Sequence, residues 1–275
     1  MPQSSIQHAI RALPRRAFEL VALRRTAGEP LVPPARLHVV GDSDFRGTGE
    51  EFLTLFRDLV DLHPEDRVLD VGCGIGRIAR PLAGYLSAAG SYDGFDVADI
   101  AIKWCQRHYR AEYPNFHFTR VNVANGSYNP NGAASADRFS FPYPSASFDF
   151  VFLTSVFTHM MPAEIERYMQ EIARVLVPGG RCLSTFFLLN DESRRLIADG
   201  RSTQRFADVE PPYAVVDRAN PEGAIAYEQE WALSRLESVG LQPRTPPRYG
   251  SWCGRDAFTS YQDIVISDRS GPPVE

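Results

Sequence analysis

The chain has 275 residues, 44% hydrophobic and 23% charged, which fits a folded protein with one large core and excludes disordered, collagen-like and coiled-coil classes. No apolar run reaches the ~18 residues of a membrane span, and Pro14, Arg15 and Arg16 interrupt the start of the chain where a signal-peptide core would lie. The formal net charge of −5 is opposite to the basic footprint of a general nucleic-acid binder.

The charge is uneven. Six arginines (Arg11, Arg15, Arg16, Arg24, Arg25 and Arg36) against Glu19 and Glu29 give residues 1–40 a net +4, leaving −9 on the rest. This segment reads as an arm and linker, with short helices at 6–12 and 18–25 and a proline-rich connection at 28–34. A solvated helix, a dimerisation element and a weak contact with anionic lipid all remain open for it. The domain proper is expected over 41–275. Phe52, Leu55, Phe56, Leu59 and Val60 recur at helical spacing within residues 50–62.

From residue 67 strands and helices alternate: strand 67–71, helix 76–86, strand 91–97, helix 99–113 stopped by Pro114, strand 115–123, strand 148–154, helix 163–176, strand 181–188. Such alternation predicts a parallel sheet covered by helices on both faces. Two irregular stretches, 124–147 and 201–228, interrupt it and read as lids. A helix at 229–239 follows, then strands at 241–249 and 261–268. The connection between these two strands is too short for a helical crossover, so they are expected to pair antiparallel.

The sharpest motif is Val68-Leu69-Asp70-Val71-Gly72-Cys73-Gly74-Ile75-Gly76-Arg77, a strand running through an acid into a glycine turn that opens a helix. Glycines admit a ligand close to the backbone, and a helix N-terminus offers free N–H groups. The spacing is G-x-G-x-G, with Arg77 where a dinucleotide fingerprint places its third glycine, which opposes a nicotinamide oxidoreductase. Asp70 suits a cationic amino group. Asp96 ends the second strand, where a carboxylate can accept hydrogen bonds from both hydroxyls of a ribose. Two further segments follow in order, Phe141-Pro142-Tyr143-Pro144-Ser145-Ala146-Ser147-Phe148-Asp149-Phe150-Val151 and Leu176-Val177-Pro178-Gly179-Gly180.

With these four segments in this order, the chain resembles the class I S-adenosylmethionine-dependent methyltransferases over roughly residues 65–190, and within them bacterial small-molecule members. The resemblance implies a Rossmann-like, doubly wound α/β fold with a seven-stranded sheet of order 3-2-1-4-5-7-6 and an antiparallel seventh strand. It implies S-adenosyl-L-methionine as cofactor and S-adenosyl-L-homocysteine as product. Carried over by position, Asp70, Gly72 and Gly74 would line the methionine end, Asp96 the ribose, and Val97, Asn122 and Val123 the adenine, with Cys73 and Arg77 as further cofactor contacts. Thr154 would sit where the active-site loop begins. Many members carry Asp at the position of Asn122.

His159, in Thr158-His159-Met160-Met161-Pro162, is the candidate base; the alternative is a histidine that caps the next helix or anchors a carbonyl. Tyr128, Tyr143, Trp252 and Arg255 are candidate acceptor contacts, against turn formation for the segments of the two tyrosines and simple packing at the sheet end for Trp252 and Arg255. The remaining histidines, His8, His38, His63, His108 and His117, show no ligand spacing, so no metal is expected. Cys73, Cys105, Cys182 and Cys253 form no C-x-x-C pair, and a reducing cytoplasm is the expected setting.

The functional expectation is methyl transfer to a small-molecule acceptor, at a hydroxyl oxygen of a sugar, glycan or natural product. The alternatives are an N-methyltransferase of a small amine and a non-catalytic cofactor-binding regulatory subunit. Neither a nucleic-acid substrate nor stable membrane insertion is expected, and a homodimer through the arm is a candidate assembly.

Overall fold

The computed structural model describes residues 31–34, 37, 44–126, 128–206 and 208–271. The helices expected at 6–12 and 18–25, and most of the arm assigned to 1–40, lie outside the described residues.

Alternating side chains on the central strands set the layers. In β1 (Arg67–Val71), Leu69 and Val71 point to one core and Val68 to the other; in β4 (Phe148–Leu153), Val151 and Leu153 oppose Phe150 and Phe152. A strand apolar on both faces must be covered on both. The first core is closed by α4 (Pro162–Val175) through Ile165, Met169 and Ile172. The second is closed by α1 (Phe45–Val60), α2 (Ala79–Tyr85) and α3 (Asp99–Tyr109). Phe56 of α1 is the pivot of that face, its ring centroid 4.9 Å from Phe150 and 4.6 Å from Phe152.

The remaining large-sheet strands are β2 (Ser91–Asp96), β3 (Phe116–Arg120), β5 (Leu176–Phe186), β10 (Leu241–Pro243) and β11 (Asp263–Arg269). The order is β10-β11-β5-β4-β1-β2-β3, seven strands, with β11 antiparallel to both neighbours and β1 to β5 parallel. This is the expected sheet, its last two strands being β10 and β11. The chain reverses its direction of winding between β1 and β4, and a crevice opens beyond the C-terminal ends of those strands, where open α/β sheets bind ligands.

Boundaries differ from expectation for local reasons. The helix expected from 76 starts at Ala79 because Gly76 itself sits at φ +78. The strand expected from 181 begins at Leu176; Val177-Pro178-Gly179-Gly180 is a shift of register inside the strand, with Gly179 at φ +77, and not a turn before it.

The stretch 201–228 carries regular structure. With β6 (Leu188–Leu189), its strands β7 (Asp208–Glu210), β8 (Tyr213–Val215) and β9 (Ile225–Glu228) make a four-stranded sheet of order β6-β9-β8-β7. Pro211 and Pro212 fall in the two-residue turn between β7 and β8, where they break no ladder. In sequence α5 (Asp191–Ala198) lies between β6 and β7, and α6 (Gln229–Ser238) follows β9. The stretch 124–147 is pinned by α4: Arg167 Nε donates to the Phe139 carbonyl at 2.8 Å, Arg174 Nη1 to the Tyr143 carbonyl at 2.8 Å, and Glu171 accepts the Phe141 N–H at 2.7 Å.

Candidate active site

A cavity of about 520 Å³ lies over the C-terminal ends of β1, β2 and β4. Of the cofactor positions read from sequence, Asp70, Gly72, Cys73, Gly74, Arg77, Asp96, Val97, Val123 and Thr154 all line it. Asn122 does not. Its side chain is exposed and accepts from Asn129 Nδ2 at 3.2 Å, because residues 122–134 fold back on themselves through the Val123–Ala134 bridge.

The glycine turn is bent by need. Gly72 is at φ +81 and Gly74 at φ +53, and a Cβ on Gly72 would stand 2.6 Å from Val156 Cγ2. The Gly72 and Cys73 N–H groups donate to the Phe95 carbonyl at 2.9 and 3.1 Å, which fastens the turn to β2. Cys73 is buried, and burial pushes its thiol well up, so it is a small neutral wall residue.

Asp96 Oδ2 accepts the Gly74 N–H at 2.8 Å and Oδ1 the Ala98 N–H at 2.8 Å. Burial raises its carboxyl against these hydrogen bonds. Each oxygen keeps a further lone pair, enough for the two hydroxyls of a ribose. Asp70 is 2% exposed, and its Oδ2 accepts the Tyr92 hydroxyl at 2.7 Å. Burial, first, and the nearby Asp96 charge push its carboxyl up to about 8, with the Tyr92 hydrogen bond opposing them. A buried acid with one protein partner fits a cationic ligand group that would ionise it. The glycine cradle, the two acids and the Arg77 guanidinium, whose pKa burial lowers, suit a nucleoside with a charged amino-acid tail.

That elevation has a sign. Because the folded Asp70 holds its proton to about 8, the empty fold loses stability as pH rises from the ordinary carboxylate range to about 8. A bound α-ammonium group reverses the preference and releases the proton. S-Adenosylhomocysteine should therefore bind more tightly as pH rises between about 5.5 and about 7, below the range where the ligand amine loses its own charge. Calorimetry in two buffers of different ionisation heat reads the proton release. Asp70→Asn should flatten the pH dependence while raising the melting temperature of the free protein at neutral pH; an unchanged slope contradicts the placement of Asp70.

His159 and Tyr128 line the same cavity. His159 Nδ1 lies 2.8 Å from the Glu222 carbonyl, an acceptor only, so Nδ1 carries the hydrogen and Nε2 the lone pair. Burial lowers the His159 pKa, against the carbonyl and the charge of Glu222, which raise it. The Tyr128 and His159 rings meet edge to face with centroids 5.8 Å apart.

The other three acceptor candidates lie elsewhere. Tyr143 is not part of the cavity wall and packs against Phe148 and Phe95. Trp252 is fully buried, its Nε1 donating to Asp263 Oδ2 at 2.6 Å. Arg255 pairs with Asp263 and Glu192 at 3.0 and 2.8 Å and stacks on Tyr249. The aromatic-plus-arginine pattern is real here, but it is consumed inside the protein.

Several lining residues carried no sequence signal: Thr48 and Glu51 from α1, Glu164 and Tyr168 from α4, and Ser260, Tyr261 and Gln262 before β11. Ser260 Oγ donates to Glu51 Oε1 at 2.6 Å, across 209 positions of sequence. Gln262 donates to Ser155 Oγ at 3.1 Å and accepts from Thr185 Oγ1 at 2.6 Å. Glu164 both caps α4, accepting the Met161 N–H at 2.7 Å, and faces the cavity, with burial raising its carboxyl.

Residues 68–180 match a family model described as a methyltransferase domain. The chain is 30% identical over 161 residues to the 27-O-demethylrifamycin SV methyltransferase of Amycolatopsis mediterranei (strain S699), covering 57% of this chain and 53% of that one. It is 32% identical over 143 residues to the nocamycin O-methyltransferase of Saccharothrix syringae, covering 50% and 45%. In fold it matches a solved protein of Pyrococcus horikoshii OT3 with a TM-score of 0.57 at 16% identity, over 85% of this chain and 95% of that one. Residues 68–180 thus carry a methyltransferase domain, and the chain is similar to the class I S-adenosylmethionine-dependent methyltransferases, whose cofactor is S-adenosylmethionine. It spans about half the length of these curated relatives. No helix among the described residues is long and apolar enough to cross a membrane.

Proposed function

We propose that this protein transfers a methyl group from S-adenosylmethionine to a hydroxyl oxygen of a small molecule, a sugar, glycan or natural product. The observation that carries the oxygen preference is His159: a half-buried imidazole in the cavity wall, its pKa lowered by desolvation and its tautomer fixed by the Glu222 carbonyl. A hydroxyl acceptor must lose a proton as it is alkylated, and the Nε2 lone pair would accept it. When bound, the cofactor supplies a methyl group activated on a positively charged sulfur. Asp96 and the glycine turn would hold its nucleoside and Asp70 its amino-acid end. The protein's main contribution is then orientation, which in favourable models lowers such a barrier by about 7–11 kcal/mol. The curated O-methyltransferase relatives support the same reading.

An amine acceptor is the second reading. Glu51 and Glu164 bring carboxylates to the cavity and would attract an ammonium group, but they would also hold its proton and so slow attack. A cytoplasmic setting belongs to the proposal; all four cysteines are buried and free.

The test is turnover with S-adenosylmethionine against a panel of hydroxylated and amine-bearing small molecules, read by mass spectrometry. Methylation confined to amines, or none with any acceptor while cofactor binds, overturns the oxygen assignment or the catalytic one. With a methylated hydroxyl in hand, His159→Ala should lower kcat by about 10²-fold. Cofactor affinity should hold. Unchanged turnover removes His159 from the mechanism.

A further inference from the structure

We propose that Glu222 is a positioning residue that locks His159 and the Tyr128 loop into one closed corner of the cavity. The proposal rests on the reading of His159 as proton acceptor. Glu222 acts twice. Its main-chain carbonyl receives the His159 Nδ1–H at 2.8 Å, and its carboxylate receives the main-chain N–H of Gly126. From the other side, Asn125 donates its amide to the His159 carbonyl at 3.3 Å, and its Oδ1 accepts the Tyr128 N–H at 3.0 Å. The Tyr128 ring then closes on the imidazole. Three segments far apart in sequence thus complete a ring of contacts, and Glu222 supplies two of its links.

The two links need each other. The carbonyl that fixes the imidazole belongs to a single short turn, Pro221–Gly223, which holds no histidine in place unless it is itself held. The carboxylate on Gly126 is that tether. A Cβ at Gly126 would stand 3.2 Å from the Glu222 carboxylate, so the two meet closely there. The negative charge also favours the imidazolium that forms as the acceptor loses its proton. The groups gathered at this corner are Glu222 and the Gly223 backbone from the turn and Tyr128 from the 124–147 loop. Glu164 of α4 feels the Glu222 charge, and Tyr227 of β9 donates its hydroxyl to the Met160 carbonyl.

The experiment is NMR titration of ¹⁵N-histidine-labelled protein with S-adenosylhomocysteine bound, in wild type, E222Q and E222A. The chain has six histidines, and the His159 signals are assigned by their loss in H159Q. Wild type should show His159 protonated at Nδ1. E222Q keeps an oxygen for Gly126 and should retain that tautomer, but its imidazole pKa should fall by at least about half a pH unit as the charge is lost. E222A should show both tautomers. S-Adenosylhomocysteine affinity should stay within about twofold throughout. A wild-type tautomer and pKa in both variants overturns the proposal; if E222A does not fold, an unshifted pKa in E222Q does so alone. Failure of S-adenosylhomocysteine to bind wild type overturns the functional reading instead, and the same titration of the free protein then decides the role of Glu222.

Discussion

Asp96→Ala should weaken S-adenosylhomocysteine binding by about 10²–10³-fold, measured by calorimetry. Two charge-assisted hydrogen bonds to ribose hydroxyls contribute about 1.5–3 kcal/mol each, of which water recovers part. The truncation also orphans the Gly74 and Ala98 N–H groups that Asp96 now receives. Their loss loosens the glycine turn at its midpoint, so the methionine end of the site suffers with the ribose end. Asp96→Asn sharpens the test. An amide has one oxygen, and its nitrogen must face either the Gly74 or the Ala98 donor. Donor against donor in a buried site is costly. The Asn variant should therefore lose nearly as much as the Ala variant, despite its shape. Binding of Asp96→Asn within about threefold of wild type would show that the carboxylate does not hold the nucleoside.

The second large effect is on stability. Asp263 has no exposed side-chain surface and accepts four hydrogen bonds: Gly250 N–H at 2.8 Å and Arg255 Nη1 at 3.0 Å on Oδ1, Leu188 N–H at 2.8 Å and Trp252 Nε1 at 2.6 Å on Oδ2. Burial raises its carboxyl, and these donors and the arginine oppose that. The pair fastens β11 to the 249–255 loop and to the entry of β6. Removing one member of a buried ion pair leaves the other charge without compensation and costs about 3–5 kcal/mol. Asp263→Ala should therefore lower the melting temperature by about 10 °C or more. It should also disturb Ser260, Tyr261 and Gln262, which precede Asp263 and line the cavity. A melting temperature within about 2 °C of wild type would contradict this account of the cluster.

Sequence and structure agree best where chemistry is local. Asp70, Gly72, Gly74 and Asp96 lie within one strand-turn-helix-strand unit, so spacing alone carries their geometry to the cavity. The order of the sheet followed from the resemblance and the short connection before the last strand. Asn122 was misplaced because strand β3 ends at Arg120 and the fold-back that turns its side chain outward depends on Ala134 and Asn129. For Trp252 and Arg255 the packing alternative holds over the acceptor one: an arginine beside an aromatic looks the same in sequence whether it meets a ligand or a buried acid, and only the position of Asp263 decides. Glu51 and Ser260 gave no signal because their contact spans 209 positions. The prolines of 201–228 suggest a loop, since proline opposes strands, yet Pro211 and Pro212 sit at a hairpin turn where that opposition does not apply, and Pro221 opens a short turn between β8 and β9.

A crystal structure grown with S-adenosylhomocysteine is the most direct measurement of the central claim. The account predicts the nucleoside over the Gly72–Gly76 turn, with both ribose hydroxyls on the Asp96 carboxylate and the amino group on the Asp70 side. A nucleoside bound elsewhere, or a ribose turned away from Asp96, would contradict it.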